Sequence, residues 1–445
     1  MKQIIIIILL LQSFYLYPQE RKINKCGSMD LLNSKLNSDS DFLNNRQLIM
    51  LENLRFIEQN KKESNTINIP IVIHIVHRQT HSNIGQGTNI SDEQIMDGIR
   101  ILNEDYSKTN PEFPNPPRDL FTTVAGNPNL KFCLATSDPN GNPTTGITRT
   151  ASSVNNFDYN SSTGNYAMKR DNLGGKNSWD TEKYLNIWVC DIANGGPVGF
   201  ATFPGWTPAN RDGIVVDYQY FGSIQVANFS DGRTLTHEVG HYLGLFHTFC
   251  DNGQGSPPYC CDNDGGWFGG VYDTPGAQGD ANDTYYGGVN NSIPSPSDPE
   301  YNSCNDLSWG FSSDLPDMHE NYMSYAANTW MFTQDQASVM QATLNSSRIS
   351  LKNSTASINC SGSTTGINNI QNNIKISPNP SQGIININTK NDIEILEIYN
   401  LVSQKILFQN KPGNTIDLSF LKNGNYYLKI KTSSEILISK IVILK

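Results

Sequence analysis

His237-Glu238-Val239-Gly240-His241-Tyr242-Leu243-Gly244-Leu245-Phe246-His247 holds three of the seven histidines in a chain of 445 residues. On a helix His237 and His241 stand one turn apart and point the same way, so two imidazoles can bind one metal ion. Glu238 lies beside them without being a ligand, placed to take a proton from an attacking water. His247 is six residues past His241, about 240° round a continuing helix, and could not reach the same ion. Gly244 removes that obstacle, because glycine tolerates the left-handed conformation that ends a helix and turns the chain back. Three protein ligands leave a tetrahedral zinc ion one open position, which marks a catalytic site and not a structural one.

The combination of His-Glu-x-x-His, glycine and third histidine resembles the metzincin metallopeptidases. That resemblance implies a methionine turn under the metal. Asn321-Tyr322-Met323-Ser324-Tyr325 is similar to it, 76 residues after His247. It implies that Met323 floors the three histidines and that the Tyr325 hydroxyl reaches the reacting oxygen.

Length calls for several domains, each large enough for its own core. The net charge of −10 gives no nucleic-acid footprint. The acid is uneven: residues 251–345 hold 13 Asp/Glu and no Lys or Arg. That stretch reads as a solvated acidic surface, as calcium sites (Asp273 and Thr274 are candidates), or as a field favouring cationic peptides.

Lys2 followed by the apolar run 4–11 reads as a secretion signal, residues 1–19, too short to span a bilayer. No later segment reads as transmembrane. Eight cysteines suit an oxidising compartment. Cys250, Cys260, Cys261 and Cys304 fall in the loop-rich stretch after the zinc motif, where a staple is most useful. Cys133 and Cys190 lie in strand-like segments and could pair or stay as buried thiols. Cys26, in Lys25-Cys26-Gly27, precedes a polar stretch that reads as a pro-segment, residues 20–66. A thiolate there could fill the open zinc position and hold an enzyme latent, as in the cysteine switch of several metzincins, or Cys26 could be an ordinary disulfide or free cysteine.

Residues 69–76 are β-branched and read as a buried strand, with His74 and His77 as strand residues and not ligands. Ser91-Asp92-Glu93-Gln94 resembles a capping box, with Ser91 as cap and Gln94 reaching back. The helix after it buries Ile95, Ile99 and Leu102. Further strands are expected at 130–135, 184–190 and 213–216, with an extended edge at 199–204. Strand, helix, strands and zinc helix in that order predict an α+β lobe, residues 67–350, whose active-site helix backs a mixed twisted sheet. An open edge beside a cleft binds substrate backbone by strand addition, and Ala201 and Thr202 are the candidates.

Gly146-Ile147-Thr148-Arg149, Leu185-Asn186-Ile187-Trp188-Val189, residues 199–204, residues 236–249, Asp273-Thr274-Pro275 and residues 321–325 together resemble the pappalysin branch of the metzincins. The likeness implies a secreted zinc endopeptidase, made latent and often calcium-dependent. Bacterial relatives carry acid just after the methionine turn, selecting a basic residue after the cut. Here that stretch is Ala326-Ala327-Asn328-Thr329-Trp330, without a carboxylate, and Trp330 suggests a larger apolar wall. A cysteine of the family pattern is also missing there, together with its partner between Pro275 and Cys304.

Residues 351–373 read as a Ser/Asn/Thr-rich linker. From residue 374, six or seven short alternating strands suggest a small all-β sandwich. It carries nine Lys/Arg against five Asp/Glu, opposite in sign to the preceding part. Ser377-Pro378-Asn379-Pro380, Ile398-Tyr399-Asn400, residues 421–427 and Lys445 resemble the sorting domain of Bacteroidetes type IX secretion cargo. That implies the type IX machinery as partner, and release or surface attachment outside the cell. A carbohydrate-binding or adhesive sandwich is the other reading of this domain. The expectation is therefore a secreted zinc-dependent endopeptidase with His237, His241 and His247 on zinc, Glu238 as base and protein or peptide substrates. The alternative is a non-catalytic surface binding protein on the same fold.

Overall fold

The computed structural model describes residues 25–59, 65–159, 166–193, 195–249, 260–261, 270–278, 302–309, 311–326, 329–356, 375–389, 391–399, 405–432 and 436–445. The expected signal (1–19), the loop insertion 280–301, Cys250, Cys360 and most of the linker lie outside them.

Two helices come first, α1 (Ser28–Ser38) and α2 (Ser40–Glu58). The sheet is then built on β1 (Ile67–Arg78), whose residues are nearly all buried. A strand covered on both faces reads as a continuous apolar run, which is why 69–76 is so rich in Ile and Val. α3 (Asp92–Tyr106) follows, then β2 (Ala125–Gly126), β3 (Leu130–Leu134), β4 (Ile147–Ser152), β5 (Leu185–Cys190), β6 (Gly199–Ala201) and β7 (Ile214–Asp217). The first half of β1 pairs in parallel with β3 and the second half with β4, while β5 runs parallel along its other side. β7 continues in parallel, and β6 closes that edge in antiparallel.

Alternation along β1 sends Ile69, Ile71, Ile73 and Ile75 to one face, packed with Ile95, Ile99, Leu102 and the zinc-motif helix α4 (Thr234–Tyr242). Val76, with Trp188 of β5 and Val215 of β7, goes to the opposite face, where Met29, Leu31, Leu32 and Phe42 of α1 and α2 cover it. The amino-terminal helices thus complete a core layer of the lobe that carries the zinc motif.

Shorter elements follow: β8 (Cys260–Cys261), β9 (Ala277–Gln278), β10 (Phe332–Thr333), which pairs with β2, α5 (Gln334–Asn345) and α6 (Ile349–Lys352). The carboxy-terminal part forms two sheets. One is β11 (Lys375–Ser377), β12 (Ile384–Asn388) and β15 (Thr415–Asp417). The other is β14 (Lys405–Asn410), β13 (Ile393–Tyr399), β16 (Gly424–Thr432) and β17 (Ile436–Ile443), all antiparallel, around a core that includes Leu396, Ile398, Leu428 and Ile441.

Three local expectations change. Ser91 caps α3, its hydroxyl accepting from Gln94 N–H at 3.1 Å, but the Gln94 side chain donates instead to the Tyr218 and Phe221 carbonyls. The edge strand stops at Ala201; Thr202 N–H still reaches the Gly213 carbonyl at 3.2 Å and its hydroxyl turns inward to Asp212 (2.7 Å). Residues 147–152 form a strand that its polar Thr and Arg residues hid, with Arg149 tied to Asn89 and the Ile90 carbonyl. Cys133 and Cys304 each take part in a disulfide, whereas Cys26 and Cys190 are buried free thiols. Among the described residues no helix is long and apolar enough to cross a membrane.

Candidate metal centre

α4 ends as Gly244 requires. Gly244 has φ +103°, its N–H donates to the His241 carbonyl, and the Leu245 N–H reaches back to the Gly240 carbonyl at 3.0 Å. The reversed chain brings His247 to the other two histidines. The three Nε2 atoms stand 3.1 Å from one another. A tetrahedral zinc with Zn–N near 2.0–2.1 Å needs nitrogens about 3.3 Å apart. His237 Nδ1 donates to the Tyr322 carbonyl at 2.7 Å and His241 Nδ1 to the Leu245 carbonyl at 2.8 Å. That fixes the tautomer and turns the Nε2 lone pairs inward. Burial, then the neighbouring His247, lowers His237 to about 3, and His241 lies well below its ordinary value for the same causes. Neutral nitrogens with converging lone pairs repel one another unless a cation sits between them, so the donor set fits a zinc ion.

The fourth corner is Cys26. Its sulfur and the three histidine nitrogens all lie within 4.8 Å of one another. Burial, then the Glu238 charge, pushes the thiol up. Glu238 is fully buried; its Oε2 accepts from Ser28 Oγ at 2.7 Å, its Oε1 has no partner, and burial lifts it to about 8. A desolvated carboxyl, a thiol and three neutral imidazoles in one dry pocket lack a positive charge, which zinc would supply.

The methionine turn lies below. Met323 is buried, and its sulfur packs so close to α4 that a Cβ on Gly240 would come within 2.4 Å of it. Tyr325 has its ring 4.8 Å from that of His247, and its hydroxyl donates to the Cys26 carbonyl at 3.4 Å. One buried carboxylate joins this turn to α4. Asp105 accepts from Tyr322 OH at 2.6 Å and from Thr236 Oγ1 at 2.7 Å, with Arg233 at 3.5 Å. Burial lifts Asp105 to about 6 in spite of these partners.

The residues around Cys26 lie along β6. Gly27 N–H donates to the Gly199 carbonyl at 3.0 Å, and Ala201 N–H donates to Ser28 Oγ at 2.7 Å. Tyr159 OH donates to the Gly27 carbonyl. The Ala201 N–H thus meets a side chain of residues 25–28, whereas Thr202 is buried and faces Asp212 and Gly213. Beside His237 a cavity of about 400 Å³ opens between Val198, Tyr220, Phe229, Asp231, Tyr325 and Thr329. Lys25 enters it and donates to the Tyr325 carbonyl at 2.5 Å. Burial lowers Lys25 to about 8, opposed by Asp231. Trp330 is not a wall of this cavity: it is wholly buried against Phe113, 5.1 Å between ring centres, in a separate cluster with Phe121 and Met331.

Asp273 accepts from Asp335 N–H at 3.0 Å and keeps a buried Oδ1 without partner; burial, then Asp335, lifts it to about 6. Thr274 beside it is buried. His74 is held by Thr148 and Asn186 inside the sheet, as a strand residue should be. Lys25, Ser28, Asp105, Tyr159 and Asp231 are site residues the sequence reading missed. Only Lys25 and Ser28, one and two places from Cys26, had a neighbour that could have drawn attention to them.

Residues 168–345 match the family described as pregnancy-associated plasma protein-A, and residues 375–444 match the secretion system C-terminal sorting domain. A promirolysin mutant from Tannerella forsythia is similar in structure, with TM-score 0.57 and 32% identity over 74% of this chain and 97% of that one. Mature mirolysin from Tannerella forsythia in complex with a cleaved peptide gives 0.51 and 36%, over 65% and 96%. An extracellular metalloprotease of Arthroderma benhamiae is 28% identical over 231 residues, 51% of this chain and 60% of its own length. One of Verticillium alfalfae is 30% identical over 197 residues, 43% and 55%. The chain thus spans about 60% of the length of the first of these fungal relatives.

Proposed function

The chain belongs to the pappalysin family of metallopeptidases, and we propose that it is a secreted zinc endopeptidase held latent by its own amino-terminal segment. The observation that carries this is the triangle of inward-turned histidine nitrogens with the desolvated Glu238 beside it. His237, His241 and His247 would hold the zinc, and the Cys26 sulfur would take the fourth position before activation. Zinc, when bound, supplies a Lewis acid that polarises the peptide carbonyl and lets water attack near neutral pH. Glu238 accepts a proton from that water and returns it to the departing amine, a role its raised proton affinity suits. Tyr325, once free of the Cys26 carbonyl, donates its hydroxyl to the developing oxyanion. Ala201 pairs with the substrate backbone along the edge of the sheet. Asp231 gives the adjoining cavity a carboxylate from the loop before α4, which supports acceptance of a basic side chain without acid after the methionine turn.

Before activation, residues 25–28 occupy these same groups, with Cys26 at the histidines, Ser28 on Glu238 and Gly27 on β6. The proposed parts are residues 1–19 as signal, 20–66 as pro-segment, 67–350 as catalytic domain, 351–373 as linker and 374–445 as sorting domain, which addresses the chain to the type IX machinery. The orphan Oδ1 of Asp273, with Thr274 beside it, supports a calcium ion there. Nothing in the site favours a non-catalytic binding protein, since every element of the zinc motif is in place. The test is zinc content and peptide cleavage by the full chain after activation, with and without chelator, against Glu238→Ala. Zinc-loaded protein with chelator-sensitive cleavage that the variant lacks is expected. A zinc-loaded, activated chain that cuts nothing would sink the reading.

A further inference from the structure

α2 is held between two bodies. Towards the catalytic lobe, Asn53 donates to Thr343 Oγ1 at 2.9 Å and accepts from Ser346 Oγ at 2.8 Å. Arg46 reaches the Pro204 carbonyl at 3.4 Å. Towards the carboxy-terminal domain, α2 packs against β17, and Glu58 in its last turn pairs with Lys429 of β16.

The face of the domain that meets α2 is unusual. Along β13, Leu396 and Ile398 point into the sandwich core, so Glu397 and Tyr399 alternate to the outside. The outer face of so small a sandwich is ordinarily wet. Yet Glu397 is 4% exposed and Tyr399 3%. A carboxylate loses water on that scale only under a cover and beside opposite charge. Lys405 at 2.7 Å and Lys429 at 3.6 Å supply the charge. Lys429 then continues to Glu58, so the last member of an alternating row, Lys405–Glu397–Lys429–Glu58, comes from the amino-terminal helices.

We propose that this outer face is a docking surface for α2, through which the carboxy-terminal domain braces the segment that blocks the cleft. Removing the domain then loosens the segment, so the two parts a secreted precursor loses are coupled. The proposal rests on the reading of residues 25–59 as a pro-segment.

The test uses the full chain and three variants: Lys429→Glu, Glu58→Lys, and the two together. Hydrogen exchange of the α2 amides is the readout, which needs no catalysis, with conversion rate measured in parallel. Each single reversal is expected to speed α2 exchange roughly tenfold, by setting like charges together, and the double swap to be better protected than Lys429→Glu alone, because it restores the pair with residue 58 while Glu397 keeps only Lys405. Glu58→Lys leaves the carboxy-terminal domain's own residues untouched, so its effect cannot come from unfolding that domain. Unchanged α2 exchange in Glu58→Lys, or a double swap no better protected than Lys429→Glu, would overturn the proposal. Exchange that follows the expected pattern in a chain that cleaves no peptide once zinc-loaded and activated would sink the peptidase reading and leave the docking surface standing.

Discussion

Ser28→Ala should release latency without touching the processed enzyme. The Ser28 hydroxyl donates to Glu238 Oε2 and accepts from Ala201 N–H, both at 2.7 Å, and all three residues are buried. Without it, Glu238, whose Oε1 already lacks a partner, keeps only the Cys26 thiol, and the Ala201 amide is stranded. Each buried polar group left unpaired costs about 1–3 kcal/mol, more when charged. In the open state both groups meet water, so the cost falls on the closed state alone. Taken together at about 3 kcal/mol, this raises the open fraction about 100-fold. The assay is the initial rate of reporter-peptide cleavage by uncut precursor, with integrity followed by mass spectrometry. The variant should cleave about 100-fold faster than the parent, while the processed enzymes, which no longer contain residue 28, should have equal kcat/KM. A difference below about threefold in intact precursor would show that Ser28 adds nothing to what holds the segment, and the reasoning from it would be wrong.

Three further outcomes follow from the same geometry. Tyr325→Phe should lower kcat by about 10²-fold with little change in KM; a pure KM effect would make the tyrosine a binding group only. Asp231→Asn should reduce the preference for Lys or Arg just after the cut roughly tenfold, read from kcat/KM on paired peptides; an unchanged preference removes Asp231 from selection. Asp105 at about 6, against an ordinary 3.8, binds its proton more tightly folded than unfolded. Its contribution to stability is therefore full below pH 3.8 and is lost as pH rises through 6, an amplitude of about 3 kcal/mol. Asp105→Asn should flatten the pH dependence of Tm across that window, and a slope equal to the parent's would refute the shift.

The zinc motif was legible because helical periodicity and one glycine fix where three histidines go, and Gly244 at φ +103° does what the spacing demands. Central strands were legible from their apolar runs. β4 was not, because an edge strand half open to solvent can be built from Thr and Arg. Asp105 carried no signal at all: one aspartate at the end of an amphipathic helix looks like any other until folding brings Thr236 and Tyr322, more than 100 residues on, to its two oxygens. Asp231 was missed for a related reason. The family's motifs put a carboxylate after the methionine turn, whereas a cavity has several walls and charge acts from any of them. Trp330 failed in the opposite way, since a large side chain near the cleft in sequence was instead taken up by the Phe113 cluster.

If residues 25–28 hold the chain latent as proposed, latency and catalysis share atoms, and activation must free them all. Four consecutive residues engage the site at separate points: Lys25 at the cavity, Cys26 at the histidines and Tyr325, Gly27 at the sheet edge, Ser28 at Glu238. Each contact alone is worth a few kcal/mol or less and would leave a measurable open fraction. Joined in one short run they open together, because freeing the sulfur without moving Ser28 would strain the two bonds between them. Met29, Leu31, Leu32 and Phe42 extend that unit into the core behind β5 and β7. Pulling the block out of the cleft therefore strains an apolar layer as well as a thiol. A thiol-reactive agent that modifies Cys26 should then give slower and less complete activation than a cut behind α2, because it breaks one contact of the unit and leaves the buried layer in place.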